Sequence, residues 1–285
     1  MTDTLTGIIP DLDEVAYHTR PELSSTGARL ILDSPARFHH RQTHPEPYKK
    51  QFDVGSAVHA KVLGIGAPIS VIPADVLASN GAASTAAAKA FIADARAVGS
   101  IPVKQGEADE INGMVEAVLS HPVARTLFEQ PGTAEASVFA TDPATGVGMR
   151  ARFDYLPDLN VADPWTVDLK TTALSASPDG FSKTVSDHRY DIQQEWYLQT
   201  YALATGDFMA RMKFVVVEKN APYLVGVYPL ATEYAEMARM RVAQALHIYA
   251  ACMAAGDGGK WPGYPTNPDP IQPPTWLMFS EGMIE

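Results

Sequence analysis

Three consecutive stretches of strand-forming sequence between residues 134 and 172 restrict the fold more than any other feature of the chain. "AEASVFATDPATGVGMRARFDYLPD" (134–158) reads as a strand, a turn from Asp142-Pro143 to Gly146, and a second strand, which is the pattern of a β-hairpin. "WTVDLKTT" (165–172) supplies a third strand. Its β-formers Val167, Thr171 and Thr172 surround Asp168 and Lys170, two residues apart, and strand alternation sends both of these to one face. Burying charge is costly unless it is paired. An ordinary ion pair meets that demand, and so does a carboxylate and an amine set together for chemistry; spacing alone leaves both open.

The sequence before this region is helical. "LSSTGARLILDSPARF" (23–38) has Ser24 or Ser25 as N-cap, an apolar stripe at Leu30 and Ile31 and a stop at Ser34-Pro35, and is the one short helix expected in the first fifty residues. "HHRQTHPEPYKK" (39–50) reads as a flexible segment whose His39, His40 and His44 are solvated and hold no metal. "FDVGSAVHAKVLG" (52–64) is a helix in which Gly55, Ser56 and Ala57 allow close packing, and His59 on it has the ordinary reading of a satisfied helical histidine. Two more helices follow, one capped near Ser84 and ended at Gly99, the other ending before Pro122 with Glu107, Asp109 and Glu110 complementing its N-terminus.

After the third strand, a loop with Pro178 and Gly180 leads to a helix over 186–206. Two strands, "RMKFVVVEK" and "YLVGVYPL", then flank a turn at Asn220-Ala221-Pro222, and a long helix covers 232–256. The expected fold class is α/β, a mixed central sheet flanked by helices. Its expected organisation is a mainly helical part packed on the core (1–130), the core with its C-terminal helix (131–256), and a Pro-rich tail of extended coil (257–285).

Composition narrows the function classes. With 285 residues, 46% of them hydrophobic, the chain can bury a substantial core. The single cysteine, Cys252, rules out an internal disulfide and any all-cysteine zinc or iron–sulfur cluster built by one chain. The polar opening is not that of a signal peptide and no apolar run approaches membrane length, so a cytoplasmic protein with no membrane partner is expected. A net charge of −11 argues against general nucleic-acid binding, although carboxylates that hold a divalent metal create positive charge locally. No Gly-rich phosphate loop, nucleophile elbow or dinucleotide fingerprint is present.

Glu135, Asp154 and Asp168 stand on or beside the three strands, and pairing of those strands would converge them into an oxygen-rich site suited to Mg²⁺. Lys170 beside it could orient a nucleophile or stabilise charge on a phosphoryl oxygen. On the next helix Gln193 and Tyr197 are four apart and share a face, which either touches this site or is an ordinary amphipathic surface. Arg150 and Arg152 alternate with Asp154 and could meet phosphate or neutralise the carboxylates.

The ordered set of an upstream Glu, an Arg-x-Asp strand, Asp-x-Lys and Gln-x-x-x-Tyr resembles the PD-(D/E)xK nuclease superfamily. Within it, the set resembles the RecE-type exonuclease VIII family of phages and prophages. The matching stretches are "AEASVFATDPATG", "RARFDYLPD", "VDLKTTA" and "HRYDIQQEWYLQTY", with "LSSTGARLILDSPARF" and "FDVGSAVHAKVL" upstream, so the likeness spans about residues 17–205. It implies a restriction-endonuclease-like core in which Glu135, Asp154, Asp168 and the backbone carbonyl of Leu169 hold catalytic Mg²⁺, with Mn²⁺ as a substitute, and His59 stands near the metal. It also implies that Lys170 is the catalytic lysine and that Gln193 and Tyr197 contact DNA or organise the site.

Arg150, Arg152 and Arg189 are then expected, with Lys183, to face DNA. The activity implied is exonucleolytic digestion of linear double-stranded DNA from its ends, 5′ to 3′, leaving 3′ single strands for phage-type recombination in a bacterial cytoplasm. A ring-like homo-oligomer and a RecT-type annealing partner are also implied. Where the usual family proline precedes the middle aspartate, this chain has Phe153. The alternatives are a single-strand or structure-specific endonuclease using the same site, and a catalytically silent module that binds DNA or protein.

Overall fold

The computed structural model describes residues 5–44, 54–256, 261–267 and 269–283. In chain order the first part contains β1 (Gly7–Ile9), α1 (Glu14–Thr19), β2 (Leu23–Ser24), α2 (Ser25–Asp33), α3 (Pro35–Thr43) and α4 (Val54–Leu63). These are followed by β3 (Ile69–Val71), α5 (Ala86–Ala97), β4 (Ile101–Val103), α6 (Gln105–Ser120) and α7 (Pro122–Glu129). The core proper runs through β5 (Gly132–Thr141), β6 (Gly148–Pro157), β7 (Thr166–Thr172), α8 (Pro178–His188), α9 (Tyr190–Thr205), β8 (Met212–Glu218), β9 (Val225–Tyr228) and α10 (Thr232–Ala254), and α11 (Thr275–Ser280) is the last element among the described residues. The mixed α/β architecture is the one expected. No helix among the described residues is long and apolar enough to cross a membrane.

The main sheet has the order β1-β5-β6-β7-β8-β9, antiparallel throughout except for the parallel β7/β8 pair, with β2 added in parallel to β6. β3 and β4 form a separate two-stranded parallel sheet. Because β5 occupies one edge of β6 along its length, β2 and β7 must share the other: β2 takes Met149 and Arg150, and β7 takes Tyr155 alone, through Val167. β6 and β7 part beyond that single pair. The opening this leaves in the sheet is where the candidate site lies.

Each face of the sheet is covered by helices. On one, Val167, Leu169, Val215 and Val217 pack against Ala57, Val58 and Val62 of α4 and Ile111, Met114 and Val118 of α6. On the other, Ala136, Val138, Phe153, Phe214 and Val216 meet Phe181 and Val185 of α8 and Tyr201 of α9. A third cluster joins Leu23, Ile31, Met149, Trp196 and Leu246, and so locks α2, α9 and α10 to the β2 side of β6. Trp196 is fully buried and donates its indole N–H to the Arg150 carbonyl at 3.0 Å, so its apolar bulk and its polar handle are both satisfied.

Several local expectations are corrected. Among the described residues of the first fifty there are three helices and two strands rather than one helix. Pro35 does stop α2, but it also opens α3 as a first-turn residue, with Ser34 Oγ accepting from Arg37 N. His39 and His40 therefore sit on a helix instead of in a loop: His39 stacks on Trp261 and His40 on His44. The rest of that segment, from residue 45, lies outside the described residues.

Pro178 and Gly180 begin helix α8 in the same manner as Pro35, capped by Ser177, and the chain breaks into α9 at Arg189, whose φ is +54°. The Pro-rich tail, expected as coil, contains α11. Other expectations match: Ser24 caps α2, Glu107 accepts from the Lys104 backbone N–H at the start of α6, and Gly206 ends α9.

Candidate metal centre

Glu135, Asp154 and Asp168 form one row across three strands. The β5/β6 register runs Ala134↔Tyr155 and Ala136↔Phe153 with the ladder interrupted between, so Glu135 stands opposite Asp154. The β6/β7 pair Tyr155↔Val167 places Asp154 next to Asp168 in the same way. Both interruptions have local causes. Glu135 adopts φ +53°, a left-handed conformation that non-glycine residues rarely take and that clusters at functional sites. Asp154 Oδ2 accepts the backbone N–H of Leu169 at 2.6 Å and thereby stands in for a ladder partner where β6 and β7 diverge.

His59 of α4 joins the row at the Glu135–Asp154 end. His59 of α4, Glu135 and Asp154 place a ligand atom each within 4.8 Å of one another, and the His59 Nδ1 lies 3.4 Å from Asp154 Oδ2. These three side chains are all partly accessible, with 26% of His59 and 16% of Asp154 exposed. Asp168 is only 2% exposed and forms an ion pair with Lys170 and accepts a 2.5 Å hydrogen bond from Gln193 Nε2.

Of the expected set, Glu135 and Asp154 lie with His59, and Asp168 lies on the adjacent strand. His59 joins two of the carboxylates, and the third carries the lysine. The Leu169 peptide touches both ligands, donating its N–H to Asp154 and making a backbone hydrogen bond with His59.

Electrostatics follow from this crowding. Burial, reinforced by neighbouring Asp168, pushes the Asp154 carboxyl well above the usual carboxylate range. Burial lowers His59, with Lys170 acting in the same direction, so its imidazole is neutral near pH 7, the form that ligates metals. Burial also works to lower Lys170, but Asp168 and Asp154 outweigh it and the ammonium is held protonated. Its Nζ lies 4.7 Å from the centre of the Tyr190 ring. Tyr197 packs edge-on against Phe153 at 5.1 Å, and burial raises its phenol well above the ordinary value.

The three arginines expected to face DNA have partners within the chain. Arg150 donates to the Tyr17 carbonyl and lies over the Tyr17 ring, Arg152 pairs with Glu135, and Arg189 forms a two-pronged pair with Asp191. Lys183 is exposed on α8. Two residues of the site had no place in the sequence reading. Tyr190 precedes Gln193 by one helical turn and so carried a spacing signal, whereas Tyr17 comes from a distant segment with no local signal at all.

A family described as a PDDEXK-like domain of unknown function (DUF3799) matches residues 24–267. The chain belongs to this family. The match covers the row of carboxylates, the lysine and α9 together, and the fold is that of a PDDEXK-like domain. Among solved structures, a candidate exonuclease from Eubacterium rectale is similar over 96% of this chain and 99% of its own, with 13% identity and a TM-score of 0.57. An alkaline exonuclease from Laribacter hongkongensis aligns over 71% of this chain and 98% of its own, with 16% identity and a TM-score of 0.26. No curated protein matches the sequence.

Proposed function

We propose that this chain is a divalent-metal-dependent exodeoxyribonuclease that degrades linear double-stranded DNA from its ends. The observation that carries the reading is the assembly at the parting of β6 and β7: His59, Glu135 and Asp154 converge from three elements, and a charged lysine stands alongside on the adjacent strand. Two carboxylates and a neutral imidazole are a fitting donor set for a divalent cation, and the nitrogen ligand favours Mn²⁺ over Mg²⁺ in affinity. When bound, the cation supplies Lewis-acid polarisation of the phosphodiester and a lowered pKa for water.

The chain's own residues do the rest. Lys170, kept protonated by Asp168, presents positive charge where a phosphoryl oxygen gains negative charge. Gln193 fixes Asp168, and the Tyr190 ring fixes the ammonium on its other side. The name given to the Eubacterium rectale protein agrees with this reading. Digestion from 5′ to 3′, a ring-like homo-oligomer, a RecT-type partner and a role in phage-type recombination extend the proposal on the strength of the RecE-type resemblance.

The test uses linear duplex labelled at either the 5′ or the 3′ end, and closed circular duplex, with Mg²⁺, Mn²⁺ or chelator. Release of label from linear DNA only, and only with metal, is expected. Cutting of the closed circle would replace the exonuclease with an endonuclease, and digestion in chelator would remove the metal from the mechanism.

A further inference from the structure

Glu135 holds an unfavourable backbone conformation, and its carboxylate is held by a single guanidinium: Arg152 Nε donates to Glu135 Oε2 at 2.5 Å. Arg152 sits on β6 two residues before Asp154, and only 15% of its side chain is exposed. The guanidinium is itself fixed from the other side. Its Nη1 donates to the Leu12 carbonyl at 2.9 Å, and its Cζ lies 5.4 Å from the centre of the Tyr17 ring. Tyr17 is 5% exposed and packs on Phe139 of β5, and burial pushes its phenol up to about 12 against the pull of Arg150 and Arg152. Leu12 and Tyr17 flank the start of α1, whose N-cap Asp13 accepts from Val15 N and Ala16 N, so the segment has a set shape.

We infer that Arg152 is a positioning residue for the metal centre and that the segment Leu12–Tyr17 forms its rear support. The Leu12 carbonyl and the Tyr17 face aim the guanidinium, the guanidinium aims Glu135, and Glu135 completes the group with His59 and Asp154. Partners behind a ligand orient it and typically contribute about 10–100-fold to metal affinity. Arginine suits this place because its planar fork reaches a carboxylate and a carbonyl at once, whereas a lysine ammonium offers one point of charge. The Arg152 side chain is therefore assigned to the metal site and not to the DNA phosphates.

This inference rests on the metal-centre reading, and the experiment separates the two. Mn²⁺ binding to the full chain is measured by calorimetry, without DNA, for wild type, Asp154→Ala, Arg152→Met, Arg152→Lys, Glu135→Gln and the double variant Arg152→Met/Glu135→Gln, with metal-free thermal melts of each. Arg152→Met is expected to weaken binding by about tenfold or more, and Arg152→Lys to recover part of that loss. The double variant should bind no more weakly than Glu135→Gln alone, because the arginine acts only through that carboxylate. A purely structural role would lower the melting temperature of Arg152→Met and give additive losses. Wild-type binding that is lost in Asp154→Ala but unchanged in both Arg152 variants overturns this inference and leaves the metal centre standing, as does additivity in the double variant. Absence of binding in wild type overturns both.

Discussion

Lys170 meets its carboxylate partner where water has little access, Asp168 being 2% exposed, so the pair is a structural commitment as well as a chemical one. Removing one member of such a pair strands a charge and typically costs about 3–5 kcal/mol. Lys170→Ala is therefore expected to abolish digestion and also to destabilise the metal-free protein by about 3 kcal/mol. Adding Asp168→Asn should recover much of the stability and none of the activity, which denaturant unfolding and the end-release assay measure separately.

Asp154 and His59 give the metal-free protein a defined response to pH. The raised Asp154 pKa means that the folded state keeps a proton the unfolded chain has already released. Stability accordingly falls as pH rises from about 4, the unfolded carboxylate value, towards the raised folded one. The lowered His59 pKa acts in the opposite sense: the unfolded chain takes up a proton below about 6.5 that the folded one refuses, and stability is lost as pH falls through that range. Because metal binds the deprotonated ligands, the stabilisation by Mn²⁺ should be larger at pH 8 than at pH 6, and Asp154→Asn should flatten the fall in stability with rising pH in chelator. Melting curves with and without metal at the two pH values decide this.

At the level of elements, what the sequence reveals and what it hides divide along physical lines. The strands carrying Glu135, Asp154 and Asp168 are readable because period-2 alternation and turn residues are local signals, and the row across the sheet follows once those strands pair. Which carboxylate would turn to His59 and which to Lys170 is not readable, since that depends on β6 parting from β7 and on α4 packing above the opening. Pro35 and Pro178 are equally instructive, for a proline that ends one helix is as well suited to open the next, and only the following residues' packing decides.

Helix α6 supports α4 from behind, and its Gly113 faces the Tyr223 ring so closely that an added Cβ would stand 2.3 Å from a ring carbon. Gly113→Ala should lower stability by about 1–3 kcal/mol through overpacking. It should leave Mn²⁺ affinity within a factor of two, because His59, Glu135 and Asp154 keep their mutual placement; calorimetry alongside denaturant titration would show whether the two effects part.

Across the whole molecule, the acidic balance and the proposed DNA substrate would be reconciled at one opening, where a bound cation and Lys170 together would offset the carboxylates. The same site joins α4 to three strands, and its proposed ligands come from residues 59, 135 and 154. β1 extends this long-range wiring further, since its partners on β5 are residues 137–139. During synthesis, therefore, residues 7–9 wait unpaired while more than a hundred later residues are made, and the rear support of Glu135 can close only when β6 has emerged to meet it. Assembly order thus runs against chain order here: a segment made before β5 and β6 finds its place only after them.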